Sequence, residues 1–202
     1  RPWKKIIILV EGIYSMEGGI CKLKEIISLK KKYKCYLYID EAHSIGAVGP
    51  HGKGVCDFWG VNPNDVDILM GTFTKSFGSV GGYIASSKEV ISFIKENYSS
   101  SMYSPTMSSS CIQQICGSIE VILGEDGTTL GKEKIKQLYD NSVYLRQKLK
   151  ELGLEVIGEN GSPVLCIMMY QPSKLAYSSR FCLERNLAVV IVGPPATELI
   201  AG

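Results

Sequence analysis

Val66-Asp67-Ile68-Leu69-Met70-Gly71-Thr72-Phe73-Thr74-Lys75-Ser76-Phe77-Gly78 is followed shortly by Gly81-Gly82-Tyr83-Ile84-Ala85. The first of these opens on an apolar run of strand length, and the second reads as a strand starting on close-packed glycine. Between them a single lysine stands among the hydroxyls of Thr72, Thr74 and Ser76, on a loop at a strand end. Two roles fit Lys75 on this evidence. It is either an exposed lysine in a polar turn, T-x-x-K patterns being common, or an amine placed to form an imine, with the hydroxyls ligating a phosphate nearby.

Working outward, Ile6-Ile7-Ile8-Leu9-Val10 is a short β-branched run that ends at Glu11-Gly12. A continuous apolar run of this length suits a strand buried on both faces, as in a parallel sheet. Leu23, Ile26, Ile27 and Leu29 recur at near-helical spacing and predict a crossover helix, and Cys35-Tyr36-Leu37-Tyr38-Ile39 is the next strand, ending at Asp40-Glu41. A glycine-rich loop follows through Gly46, Gly49, Gly52 and Gly54. Strand, helix, strand with polar residues at the strand ends predicts an α/β sheet whose ligands collect outside the carboxyl ends. There Asp40 can face a cofactor ring, and His43 can reach the same ring three residues later. A carboxylate beside a pyridine nitrogen keeps that nitrogen protonated, so that the ring withdraws electrons and stabilises a carbanion. Asp40 alone equally suits a cap of the following turn. Asp40, His43 and Lys75 together point to a pyridoxal phosphate site.

Downstream, Ser87 is placed to cap a helix carrying Val90, Ile91 and Ile94 on one face. The serine-dense stretch Ser99 to Ser110 leads into a helix through Ile112, Ile115 and Ile119. That stretch is too polar for a core, and it suits either a flexible linker or a segment at an interface. A longer helix is expected over about 132–150, with Leu138, Val143, Leu145 and Leu149 inward and a glycine C-cap at Gly153. Strand-like runs at 154–157, 164–169 and 187–192 surround a helix near 173–184. Residues 1–122 are read as part of a large cofactor-binding domain, and 123–202 as a connecting helix and the beginning of a small α/β domain.

The composition is that of a soluble globular chain: 202 residues, 45% hydrophobic and 21% charged. A net charge of +2 is too close to balance for a nucleic-acid surface. The run Lys30, Lys31, Lys32 and Lys34 reads as the solvated end of a helix, which the helix dipole favours. Seven cysteines with no CxxC pair, and histidine only at positions 43 and 51, exclude the usual zinc spacing and point to a reducing compartment. His51, in the glycine-rich loop, is expected to be solvent-exposed, and Tyr14 and Tyr38 to be core aromatics with a polar tip. No apolar run has the length of a spanning helix. The chain lacks an initiator methionine and a signal peptide, and both ends look cut, as in a segment of a longer protein.

Three ordered motifs resemble the α-oxoamine synthases, a family of fold-type I pyridoxal phosphate enzymes. They are Val10-Glu11-Gly12-Ile13-Tyr14-Ser15-Met16-Glu17-Gly18, Ile39-Asp40-Glu41-Ala42-His43-Ser44-Ile45-Gly46 and Gly71-Thr72-Phe73-Thr74-Lys75-Ser76-Phe77-Gly78. The phenylalanine-rich lysine loop resembles the catalytic, second-type subunits of the family's serine palmitoyltransferase branch. The resemblance implies an α/β fold with a mostly parallel sheet and pyridoxal 5'-phosphate as cofactor. It implies Lys75 as the imine lysine, Asp40 as partner of the pyridinium nitrogen, His43 and Ser15 on the phenolic oxygen, and Thr72 on the phosphate. The segment Tyr103-Ser104-Pro105-Thr106 matches one that crosses a dimer interface, with Thr106 placed for a phosphate. Pro105 departs from the hydroxyl residue usual there, and Gly193-Pro194-Pro195-Ala196-Thr197-Glu198 departs slightly from the family's loop. The family's ring-stacking histidine and its carboxylate-gripping arginine fall outside Arg1–Gly202. The substrates implied are L-serine and a long-chain acyl-CoA, condensed with loss of carbon dioxide; the alternatives are a sister α-oxoamine synthase using glycine or alanine with another acyl-CoA, or a truncated non-catalytic subunit. The implied partner is a homologous subunit lacking the lysine, and the implied location is the cytosolic face of the endoplasmic reticulum membrane, with anchoring outside this chain.

Overall fold

The computed structural model describes residues 3–99 and 103–197. Four strands, β1 (Ile7–Glu11), β2 (Tyr36–Asp40), β3 (Ile68–Thr72) and β4 (Gly82–Ser86), form one sheet in the order β1-β2-β3-β4. The first three are parallel and β4 returns antiparallel to β3. This is a mostly parallel α/β sheet, as the resemblance implies. The register sets Glu11 beside Asp40 and Asp40 beside Met70, so three carboxyl ends lie in one row.

Helix α1 (Leu23–Tyr33) makes the crossover from β1 to β2, and its buried Leu23 and Ile27 stand one helical turn apart. The chain leaves α1 through Lys34 in the left-handed conformation, with φ +53°. The lysine run here is more than a solvated helix end. Lys30 Nζ sits 2.6 Å from Asp67 Oδ2 and donates to Asp65 O, and Asp67 Oδ2 also accepts from Leu37 N. Lys31 pairs with Asp65 at 2.9 Å. The helix end is thereby tied to the start of β3.

A short helix, α2 (Val55–Trp59), separates β2 from β3, and Trp59 Nε1 donates to Cys21 O at 2.8 Å. Leu37 and Ile39 of β2 face α1 and α2 and are fully buried with Leu23, Ile27, Val55, Ile13 and Ile20. The opposite sheet face is open: Leu9 is 69% exposed, and Ile7, Tyr36 and Ile84 are exposed with it. The apolar strand runs predict burial on both faces, but among the described residues only one face has elements packed against it.

Beyond the sheet come α3 (Lys88–Asn97), capped by Ser87, and α4 (Ser109–Leu123), capped by Ser108. Next come α5 (Leu130–Glu151), the antiparallel pair β5 (Val156–Ile157) and β6 (Cys166–Ile167), and α6 (Pro172–Leu183). Gly153, with φ +80°, follows the C-terminus of α5 as its sequence predicts. The inward face of α5 is another matter, because Leu138 and Leu145 are exposed while Gly131, Ser142 and Arg146 are buried. The apolar run 187–192 forms no strand among the described residues. No helix among them is long and apolar enough to cross a membrane.

Candidate active site

The three parallel strand ends carry the chemistry. Asp40 is the last residue of β2, and its Oδ1 accepts from Ala42 N at 2.8 Å. The turn cap that the sequence leaves open is therefore made, and by one oxygen only. Glu11, at the end of β1, accepts from Ser15 N at 2.9 Å and so ties Ser15 to the same row. Burial and the nearby Lys75 ammonium hold the His43 imidazolium down, lowering its pKa, while Glu11 and Asp40 act in the opposite sense. His43 lies on the turn after β2 and Lys75 on the loop after β3, so both follow the carboxyl ends of the strands in the row that carries Glu11 and Asp40. A cavity of about 740 Å³ opens beside it, lined by Glu11, Tyr14, Tyr38, Asp40 and Met70 among others. Tyr14 and Tyr38, expected as core aromatics, line this cavity instead, and burial raises the pKa of both phenols.

The turn that carries His43 is held by a residue the motif reading passed over. Glu41 is buried; Ser44 Oγ donates to its Oε2, and Val55 N lies 3.0 and 3.2 Å from its two carboxylate oxygens. Its main chain donates to Met70 O and accepts from Ser44 N and Ile45 N, so both ends of the turn are fixed. Burial raises the Glu41 pKa, with Ser44 and Val55 opposing the rise. Its neighbours Asp40, His43 and Ser44 are polar as well, so no signal in the sequence singles it out.

Lys75 is exposed on the loop between β3 and β4. It opens a tight turn in which Gly78 N donates to Lys75 O at 3.1 Å, and Gly78 takes the left-handed φ of +61° that favours glycine. Ser79 N donates to Phe73 O, and Phe73 N to Gly81 O, closing the loop on itself. Phe77 is buried and meets the edge of Phe73, whose ring lies 5.4 Å from that of Tyr83. Thr72 Oγ1 lies 2.8 Å from Thr74 Oγ1, donates to Gly81 O and accepts from Thr74 N. From outside, α4 grips the loop. Gln114 Nε2 and Ser118 Oγ both donate to Phe77 O, at 3.2 and 3.0 Å, and Ser79 Oγ donates to Cys111 O at 3.1 Å.

Thr106 is exposed in the coil ahead of α4 and makes no hydrogen bond with this cluster among the described residues. His51 is exposed as expected and pairs with Asp57 at 3.0 Å. The loop bearing Ser15 rests on the later part of the chain. Glu159 N donates to Gly18 O at 3.1 Å, and Arg146 Nη1 donates to Ile157 O and Gly158 O at 2.9 and 3.1 Å.

Comparison with known proteins bears on the family and the fold. The chain is 53% identical to "Serine palmitoyltransferase 2" of Dictyostelium discoideum over 98% of its own length, and it spans 41% of that relative. The solved serine palmitoyltransferase of Sphingomonas wittichii superposes with a TM-score of 0.87 at 28% identity, covering 97% of this chain and 48% of that one. A structure named SPT with PLP internal aldimine superposes at 0.84 with the same identity, covering 96% and 47%. The model of the family described as aminotransferase class I and II matches residues 2–198, and the chain belongs to that family.

Proposed function

We propose that this chain is the cofactor-binding part of a pyridoxal phosphate-dependent acyltransferase that condenses L-serine with a long-chain acyl-CoA, palmitoyl-CoA giving 3-ketosphinganine, with release of carbon dioxide and coenzyme A. One observation carries the reading. A lone lysine, an imidazole with lowered pKa and two carboxylates stand at or just after the carboxyl ends of adjacent parallel strands. The choice of substrates is supported by the names of the relatives.

The donor set fits pyridoxal 5'-phosphate. Asp40, with one oxygen committed to Ala42 N, has its second for the ring nitrogen. Neutral His43, with Ser15, suits the phenolic oxygen; Thr72 suits the phosphate; and Lys75 supplies an exposed primary amine for the aldehyde. Thr106 would serve the phosphate of a site completed across a dimer. When bound, this cofactor supplies an electron sink for the α-carbon of the amino acid. Asp40 would keep the ring nitrogen protonated by its counter-charge, and His43 would hold the ring's orientation. Lys75 Nζ, once displaced by the substrate amine, would take the α-proton as general base. Residues 1–122 would belong to the large domain and 123–202 to the connecting helix and the start of the small one. The partner would be a homologous subunit lacking the lysine, at the cytosolic face of the endoplasmic reticulum membrane; co-purification and fractionation of the tagged full-length protein test both.

The deciding experiment uses the full-length protein co-expressed with its partner. Borohydride reduction of the pyridoxal phosphate-loaded complex, followed by peptide mapping, should put the label on Lys75. Labelled serine with palmitoyl-CoA should give 3-ketosphinganine, and Lys75→Ala should abolish both product and label while the fold persists. Label on another lysine would sink the assignment.

A further inference from the structure

We infer that Gln114 and Ser118 are positioning residues for Lys75, acting through the Phe77 carbonyl; the inference rests on the role proposed for Lys75. Six of the fifteen residues of helix α4 are isoleucine, valine or leucine, and the polar Gln114 and Ser118 stand one turn apart on one of its faces. Both spend their donors on one acceptor, Phe77 O, and Gln114 Nε2 also reaches Ser118 Oγ at 3.2 Å. A third bond, from Ser79 Oγ to Cys111 O, falls on the same side of the helix one turn earlier.

The acceptor they share is the sensitive one. Lys75 and Gly78 close a turn by the bond from Gly78 N to Lys75 O, and Phe77 is the residue before the left-handed glycine. The Phe77–Gly78 peptide carries the Phe77 oxygen on one edge and, on the other, the Gly78 N–H that closes the turn onto Lys75 O, so holding that oxygen holds the closing bond. The direction in which Lys75 leaves the backbone follows from it. A carbonyl with two donors on it cannot rotate without losing both. The side-chain anchors of the loop, buried Phe77 against Phe73 and Phe73 against Tyr83, fix where the loop sits, not how this peptide is turned. Helix α4 also begins directly after the coil that holds Thr106, so one rigid element ties the lysine loop to that segment. The chemistry of Lys75 needs its Nζ within bonding range of a fixed ring, and a misplacement of about 1 Å there costs on the order of 10²-fold in rate.

The test compares wild type, Ser118→Ala, Gln114→Met, the double variant and Ser118→Thr in the full-length complex. Three measurements are made: hydrogen exchange at the Gly78 and Ser79 amides of the cofactor-free protein, the kcat and KM for serine, and borohydride labelling. The double variant should exchange both amides faster with the thermal midpoint little changed. It should also lose about 10- to 100-fold in kcat at a KM within about twofold of wild type. Ser118→Thr, which keeps the hydroxyl, should restore both. Unchanged exchange and kcat in the double variant would overturn the inference. So would a general loss of stability with KM and kcat falling off together and no rescue by threonine. If wild type takes no label at Lys75, the proposed function fails, while loop exchange still decides whether the clamp exists.

Discussion

Asp40 combines two duties that a sequence motif lists as alternatives. One carboxylate oxygen caps the turn through Ala42 N, and the charge remains for a ring nitrogen. Asp40→Asn separates them, because an amide oxygen can still accept from Ala42 while the charge is gone. We expect the fold and the cofactor to be retained and activity to fall by at least ~10²-fold, the scale of a lost strong electrostatic contact. Near-normal turnover would reduce Asp40 to a turn cap. His43 offers a second test at this scale. Its pKa is lowered by burial first and by the Lys75 ammonium second. Lys75→Met removes the second cause, so the His43 pKa should rise in the cofactor-free protein. With histidine only at positions 43 and 51, an NMR titration can follow it, and an unmoved pKa would put Lys75 out of range. The lowered folded value also fixes a sign. Stability contributed by neutral His43 is present above the unfolded imidazole pKa of about 6.5 and is lost as pH falls through the lowered value. Denaturant midpoints of His43→Gln should therefore depend less on pH on the acid side than those of wild type.

Among the elements, the sheet divides into a packed and an open face, and substitution should report the division. Ile39→Ala removes a fully buried side chain beside Leu37 and Val55, and should cost about 2–5 kcal/mol. Leu9→Ala, on the open face, should cost far less in this chain. Equal losses by urea titration would mean that the open face is packed in solution. Although the run 187–192 forms no strand among the described residues, the four strands of the sheet were legible to within a residue or two, because an apolar run bounded by glycine and acidic residues leaves little choice of register. That Asp40, His43 and Lys75 follow the strands' carboxyl ends was legible for the same reason, since strand ends deliver their polar neighbours to one edge. Two things were not. Helix α5 buries Ser142 and Arg146 and exposes Leu138 and Leu145. Its orientation is set by what it docks on, here the carbonyls of Ile157 and Gly158, and no apolar periodicity encodes that. The clamp from α4 was hidden likewise, because its target is a main-chain oxygen about forty residues away with no side-chain signature.

At the scale of the whole molecule, the β5–β6 part is held to α5 by Arg146, and to the loop of Ser15 by the bond from Glu159 N to Gly18 O and by two close-packed glycines. Arg146 is 3% exposed, and its two bonds hold the end of β5 in place. Arg146→Met keeps much of the volume and strips those carbonyls of their donor. It should cost about 1–3 kcal/mol and make residues 152–165 the first to be cut in limited proteolysis. Unchanged stability and cleavage would mean that the seam holds without it. The glycines bear on Ser15 more directly. A Cβ on Gly18 would stand 2.4 Å from Val164 O, and one on Gly158 would stand 2.7 Å from Glu17 O, each glycine having a positive φ. Neither obstacle is a side chain. In a genetic selection, an alanine in an ordinary core can be suppressed by trimming the neighbour it strikes. Here the neighbour is a peptide oxygen that every amino acid carries, so no second substitution can make room. Reversion of Gly18→Ala or Gly158→Ala should come back only at the mutated codon, and this seam is one the protein can keep or lose but not renegotiate.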